Sequence, residues 1–165
     1  MSTLTPNLSL VKPDPVTDLV LVSQINDNMD KIDANGNGPW VAYAPTWTAA
    51  NTNPVIGNGT ITGFYRMVGN TFQYRIVITM GSTTTYGSGM YLLSTPSNTK
   101  NPTHIAGYGI GYNLVNRKTL MAYWASTALI RLIRCSTDVE VDQTGLGIAW
   151  AAGHVLSVEG FYEKP

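Results

Sequence analysis

The stretch Thr60-Ile61-Thr62-Gly63-Phe64-Tyr65-Arg66-Met67-Val68, then Gly69-Asn70, then Thr71-Phe72-Gln73-Tyr74-Arg75-Ile76-Val77-Ile78-Thr79, decides the fold class. Side chains alternate across a strand with period two. Ile61, Gly63, Tyr65 and Met67 therefore share one face, and Phe72, Tyr74, Ile76, Ile78 and Met80 share one face of the next strand. Gly69-Asn70 is turn chemistry between two alternating runs, which is the pattern of a β-hairpin.

Downstream, further strands fit residues 89–93, 105–114, 119–125, 128–135 and 154–163, with another at 146–151. Polar, Gly-rich turns separate them. Short strands at this spacing predict an antiparallel β-sandwich or jelly roll over residues 40–165. No second helical pattern follows, so no βαβ unit and no dinucleotide site of that type is expected.

Upstream, residues 15–33 read as a helix. Asp14 is placed to cap it, Pro15 suits its first position, and Asp18 favours the positive end of its dipole. Val22, Ile25, Met29 and Ile32 recur at spacings of three, four and three, with polar residues elsewhere. A stripe this short needs a partner. It packs either on its own domain or in a short bundle around a symmetry axis, and isoleucine at both d positions leans towards three or more strands. Ala34-Asn35-Gly36-Asn37-Gly38-Pro39 breaks the helix and forms a hinge, 34–39. Before the helix, residues 1–14 are short, polar and proline-containing, with apolar Leu4, Leu8, Leu10 and Val11. They read as an extended arm. The whole is mainly β: extended arm, short helix, then a sandwich or jelly-roll knob.

Composition narrows the function. The chain has 165 residues, with Lys+Arg 10 and Asp+Glu 10, so its formal net charge is zero. Nucleic-acid binders carry a basic excess, so nucleic acid is not an expected partner. Only 12% of residues are charged and 44% are hydrophobic. Average proteins carry about twice that charge, and so sparse a surface suits a subunit of a large assembly. No apolar run approaches the ~20 residues that cross a bilayer, so no membrane is expected. Met1 to Pro6 lacks the basic and apolar regions of a secretory signal. Synthesis in a host cytoplasm and release within a virus particle is one route that needs none.

The string Trp40-Val41-Ala42-Tyr43-Ala44-Pro45-Thr46-Trp47-Thr48, then Asn53 to Thr60, Gly63 to Arg66 and Gly81 to Gly89, resembles a β domain of tailed-bacteriophage virion proteins. These belong to phages of actinobacteria and are minor tail, tail-fibre or head-decoration proteins. Leu10 to Pro13 and Ile25 to Asp33 resemble the connector before that domain. The resemblance implies a homotrimer on the virion surface: an N-terminal anchor, a helical bundle built on Val22, Ile25, Met29 and Ile32, and an outward knob. Leu4, Leu8, Leu10 and Val11 would anchor it to other virion proteins. Head decoration or a head fibre is favoured over a minor tail protein because the arm is short. The family carries no catalytic residues to transfer.

Asp138, Glu140 and Asp142 alternate and would share one face; they suit either a Ca²⁺ site or, the favoured reading, a charged edge that blocks strand pairing. His104 and His154 form no metal motif, and no nucleophile elbow or phosphate loop occurs. Cys135 closes an apolar run and is expected buried. Arg131 and Arg134 point to opposite faces, one of them suited to an acid across a subunit boundary. Gly107, Gly109 and Gly111 mark close sheet or subunit packing. No enzyme activity, metal or cofactor is expected. The aromatics Trp40, Tyr43, Trp47, Tyr86, Tyr91, Tyr108, Tyr112, Tyr123, Trp124 and Trp150 suit packing, or contacts with host cell-surface glycans. Tyr86, in a Thr/Ser/Gly loop, is the candidate glycan contact. A carbohydrate-binding receptor module of a tail fibre is the alternative function.

Overall fold

The computed structural model describes residues 3–4, 9–12, 21–36, 38–103, 105–112, 116–137, 139–144 and 149–165. The chain divides into two units, Met1–Pro39 with Met67–Gly69, and Trp40–Arg66 with Asn70–Pro165.

In the first unit, β1 (Thr3–Leu4) pairs antiparallel with β2 (Val11–Lys12), Leu4 opposite Val11. The helix α1 spans Val22–Gly36, starting later than residue 15 and ending later than residue 33. Leu21 is its cap. The Leu21 carbonyl accepts from the N–H groups of Gln24 and Ile25 at 3.0 and 3.3 Å, and Gln24 Oε1 reaches back to the Leu21 N–H at 3.5 Å. This is the Gln half of a capping box. Asp14, Pro15 and Asp18 lie outside the described residues. At the other end Ala34 and Asn35 continue the helix and Gly36, the poorest non-proline helix former of the three, ends it. Three residues assigned to the hinge are thus helical.

The burial of α1 runs opposite to a self-covering helix. Gln24, Asn28 and Lys31, at spacings of four and three, are half-buried, while Val22, Ile25, Met29 and Ile32 are exposed, Val22 by 71% and Met29 by 61%. The polar stripe holds the arm: Asn28 hydrogen-bonds the Val11 backbone at 2.9 and 3.1 Å, and Lys31 Nζ donates to the Ser9 carbonyl at 2.9 Å.

The second unit is built on antiparallel strands, as the alternation required. They are β3 (Val41–Tyr43), β4 (Trp47–Ala49), β5 (Thr60–Val68), β6 (Thr71–Thr79), β7 (Tyr91–Ser94), β8 (Ile105–Tyr112), β9 (Arg117–Trp124), β10 (Leu129–Arg134), β11 (Val139–Glu140) and β12 (Val155–Glu163). One sheet runs in the order β3-β5-β6-β12-β8-β9-β10-β7-β4, with β11 beside β10. The strand expected at 146–151 is not found at its described residues: 149–151 are non-strand, and 146–148 lie outside them. Trp150 is buried there, its Nε1 donating to the Asp142 carbonyl at 3.0 Å.

β3 and β4 lie at opposite ends of the strand order, yet only Ala44-Pro45-Thr46 joins them. A three-residue link spans at most about 10–14 Å, so the sheet has to curl until its ends meet. Tyr43 Oη donates to the Ser94 carbonyl at 3.4 Å, and the Thr46 N–H donates to Ser94 Oγ at 2.8 Å. The result is a half-barrel of the sandwich or jelly-roll kind. Its inner face is continuous: Ile76 faces Val158, Val158 faces Gly109, and Gly109 faces Leu120. Ala122 faces Leu132, and Ile130 faces Leu93, which faces Trp47. Ile76, Ile78, Leu93, Leu120, Ile130, Leu132 and Leu156 are fully buried, each contributing about 1.5–3 kcal/mol by leaving water.

The crossing of β8 and β12 is the tightest point. Gly107 lies opposite Gly160, which lies opposite Tyr74. A Cβ on either glycine would overlap backbone of the other strand, so the expected close packing is sheet packing. Tyr74 fills the inner space, and its hydroxyl donates to the Ala106 carbonyl at 3.0 Å. A register shift between Ile105 and Gly107 leaves that carbonyl in need of a partner.

Candidate functional site

The structure distributes the sequence-derived candidates widely. In the first unit Leu4 is 62% exposed, Leu10 and Val11 are half-buried, and Leu8 lies outside the described residues. In the second unit Tyr86 is not an open loop tip. Residues 52–55 pair with 85–88 through bridges Thr52↔Ser88 and Val55↔Thr85. The Asn58 side chain ties the same two loops, its Nδ2 donating to Ser82 Oγ and its Oδ1 accepting from the Thr83 N–H, both at 2.9 Å. Tyr86 is half-buried in this lobe and its carbonyl accepts from Tyr91 Oη at 2.8 Å. The pairing is between segments thirty residues apart, so the local Thr/Ser/Gly composition does not disclose it.

The acidic trio does not converge among the described residues. Glu140 pairs with Arg131 at 3.0 Å. Asp142 Oδ1 caps a turn, accepting from the Thr144 N–H at 2.6 Å and its hydroxyl at 3.0 Å. Asp138 lies outside the described residues, as does His104. The acid for Arg131 is therefore in its own chain, and Arg134 Nε donates to Thr137 Oγ1 at 2.7 Å. His154 Nδ1 accepts from the Ala151 N–H at 3.2 Å, a turn contact. Cys135 is exposed rather than buried; it follows the end of β10 and starts the turn to β11.

Most aromatics serve the core. Trp47 is buried edge-on to Tyr91, ring centres 5.1 Å apart. Tyr162 stacks on Phe72 at 5.3 Å and meets Trp124 edge-on at 5.1 Å. Its hydroxyl accepts from the Ser97 N–H at 3.0 Å and donates to the Ser97 carbonyl at 2.8 Å. Burial pushes the hydroxyls of Tyr43, Tyr74, Tyr91 and Tyr162 above the ordinary tyrosine range.

The outer face of the sheet is different. Strand alternation there presents Gln73 and Arg75 from β6, Glu159 and Phe161 from β12, and Tyr108 and Ile110 from β8. Gln73 lies opposite Phe161, and Arg75 opposite Glu159, which lies opposite Tyr108. Phe161 is 69% exposed and Tyr108 59%. Two adjoining grooves of about 300 and 380 Å³ run along this face and share Tyr108 and Glu159. A third, of about 340 Å³, touches Phe161 but is lined also by the inward Tyr162 and Trp124.

Charge on this face is arranged unusually. Arg75 carries its guanidinium over the rings of Trp40 and Phe64, each 4.9 Å from the ring centre, and Arg66 lies 5.0 Å from the Trp40 centre. Arg66 Nε also donates to Gln73 Oε1 at 2.7 Å. Among the described residues Glu159 makes no ion pair, although Arg75 is its register partner. Sequence reasoning passed over Phe161, Glu159 and Gln73. The alternation of Leu156, Val158, Gly160 and Tyr162 inward carries the signal: it leaves Phe161 outward between Glu159 and Glu163. No known family, curated protein or solved structure matches this chain.

Proposed function

We propose that the chain is a non-enzymatic structural protein of a bacteriophage virion, a homotrimeric surface knob attached to the particle by its N-terminal arm. Head decoration or a head fibre is the preferred location, over a minor tail protein. The resemblance of segments over most of residues 10 to 95 to phage virion domains supports this reading. The observation that carries it is the inverted burial of α1. Its polar stripe of Gln24, Asn28 and Lys31 is half-buried, with Asn28 and Lys31 tying down the arm, while Val22, Ile25, Met29 and Ile32 are exposed. A helix that spends its polar face inward leaves its apolar seam for sister copies, and the d-position isoleucines favour three.

Light scattering on the full chain tests it. The expected mass is three times the 17.9 kDa chain, reduced to a single chain by Ile25→Asp with Met29→Asp. A wild-type chain that stays single at every working concentration would refute the trimer. Particles that incorporate a chain lacking residues 1–14 as well as the full chain would refute the anchor.

A second reading, a carbohydrate-binding receptor module of a tail fibre, is favoured by one observation: exposed aromatic grooves beside Glu159, which makes no ion pair among the described residues.

A further inference from the structure

We infer that the trough formed by Phe161, Tyr108, Glu159 and Gln73 on the outer sheet face binds a neutral oligosaccharide about two pyranose rings long. This rests on the surface placement of the knob proposed above, but not on the helix seam.

Shape argues for a chain-like ligand. Two grooves adjoin on this face, of about 300 and 380 Å³, at the small end of ligand sites. Tyr108 stands between them, and Phe161 walls the first. A linear glycan fits such a series, one ring per groove, with aromatic faces between.

The chemistry of the walls argues for a sugar. A pyranose has an apolar C–H face and an equatorial rim of hydroxyls. Phe161 and Tyr108 offer open rings on strands, so little side-chain freedom is lost on binding. A hydroxyl both donates and accepts, and the trough provides both partners. Gln73 has its Oε1 engaged by Arg66, which leaves its Nε2 hydrogens as donors. Glu159 supplies an acceptor, because Arg75 is held over Trp40 and Phe64 instead. At the carboxylate itself an acidic sugar would meet a like charge, whereas a sugar hydroxyl donates to it. A sister copy on this face is distinguished by the mass of the variants. An extended peptide would add to a sheet edge, whereas the trough lies on a face. A single site of this kind binds weakly, and repeated copies on a particle multiply it.

The experiment is calorimetry of the full chain with maltotriose, cellotriose, mannotriose and triacetylchitotriose, each separately. At least one is expected to bind saturably, with Kd of about 1 mM. Tyr108→Ala and Phe161→Ala should each weaken that binding by about tenfold or more, and Glu159→Gln by about fivefold. Tyr86→Ala should leave it unchanged. Failure of all four sugars to bind overturns the inference, as does binding indifferent to Tyr108→Ala and Phe161→Ala. Light scattering on the same variants supplies the remaining outcome. A changed mass would assign this face to a subunit contact and overturn the inference. Sugar binding by a chain of single mass would sink the trimer and leave the trough standing.

Discussion

Asn28 stands in for a neighbouring strand at Val11: its Oδ1 accepts from the Val11 N–H at 2.9 Å and its Nδ2 donates to the Val11 carbonyl at 3.1 Å. These are the two bonds that a residue of an adjacent β-strand would exchange. The open edge of β2 is thereby closed by a helix side chain, and the arm takes its place from α1. Asn28→Ala should cost this local structure about 1–2 kcal/mol, since two partly buried backbone groups lose partners. Exchange of the Val11 amide hydrogen should accelerate by about tenfold or more. Unchanged protection at Val11 would show that the arm is held by something else.

The Gly107–Gly160 crossing sets a second expectation, with Gly153 as its control. A Cβ at position 160 would overlap the Ala106 carbonyl oxygen, which belongs to a paired strand and cannot move alone. Gly153 has φ +81 and nothing within 4 Å of an added Cβ. Gly160→Ala should therefore cost about 3 kcal/mol or prevent folding. Gly153→Ala should cost only about 1–2 kcal/mol of backbone strain. Thermal melts of the two variants would separate them, and equal losses would contradict the close approach.

Residues 60–79 disclose their structure because period two survives in both strands and Gly69-Asn70 lies between them. The stripe from Val22 to Ile32 is legible for the same reason at period 3.6. The start of the helix is not. The described helix is capped by Leu21, not a residue of obvious capping chemistry, with Gln24, and Pro15 lies outside the described residues. β3 and β4 have three residues each, too few to show a period. They are strands because the curl of the sheet brings partners to them. The insertion of β12 between β6 and β8 is likewise non-local. That insertion builds the trough, so Phe161 could be placed outward by alternation yet not beside Gln73 and Tyr108. Tyr86 shows the converse error, a loop residue whose cover comes from a loop far away in sequence.

Burial of the tyrosines predicts a loss of stability in alkali. Tyr74 is fully buried and its folded pKa lies above the ordinary value, chiefly through desolvation, with Tyr43 and Tyr162 nearby adding to it. A group with a raised folded pKa contributes stability that is fully present below its unfolded pKa of about 10 and declines as pH rises through the folded value. Stability should be insensitive to these tyrosines between about pH 7 and 9, then fall above about pH 10. Tyr74→Phe should lower stability at neutral pH by about 1–2 kcal/mol, because the Ala106 carbonyl loses its donor. It should also flatten the alkaline decline. Tyrosinate absorbance followed with pH checks this: Tyr43, Tyr74, Tyr91 and Tyr162 should ionise only as the fold is lost. Smooth ionisation of all the tyrosines near their ordinary value, with the fold intact, would contradict their burial.

At the 139–142 segment, the apolar residue should outweigh the acid. Glu140 pairs with Arg131 at 3.0 Å while both side chains stay more than a third exposed, and such pairs contribute about 0–1 kcal/mol. Val141 is fully buried. Its N–H donates to the Leu132 carbonyl at 2.8 Å and its carbonyl accepts from the Tyr91 N–H at 2.9 Å. The residue thus joins β10 to β7, and its side chain closes the core between them. Glu140→Gln should shift stability by about 0.5 kcal/mol or less. Val141→Ala keeps both backbone bonds and should still cost about 1–3 kcal/mol through the cavity it leaves. Urea denaturation of both variants decides the order. A larger loss for Glu140→Gln would mean that the charged edge, rather than the buried valine, holds this corner of the sheet.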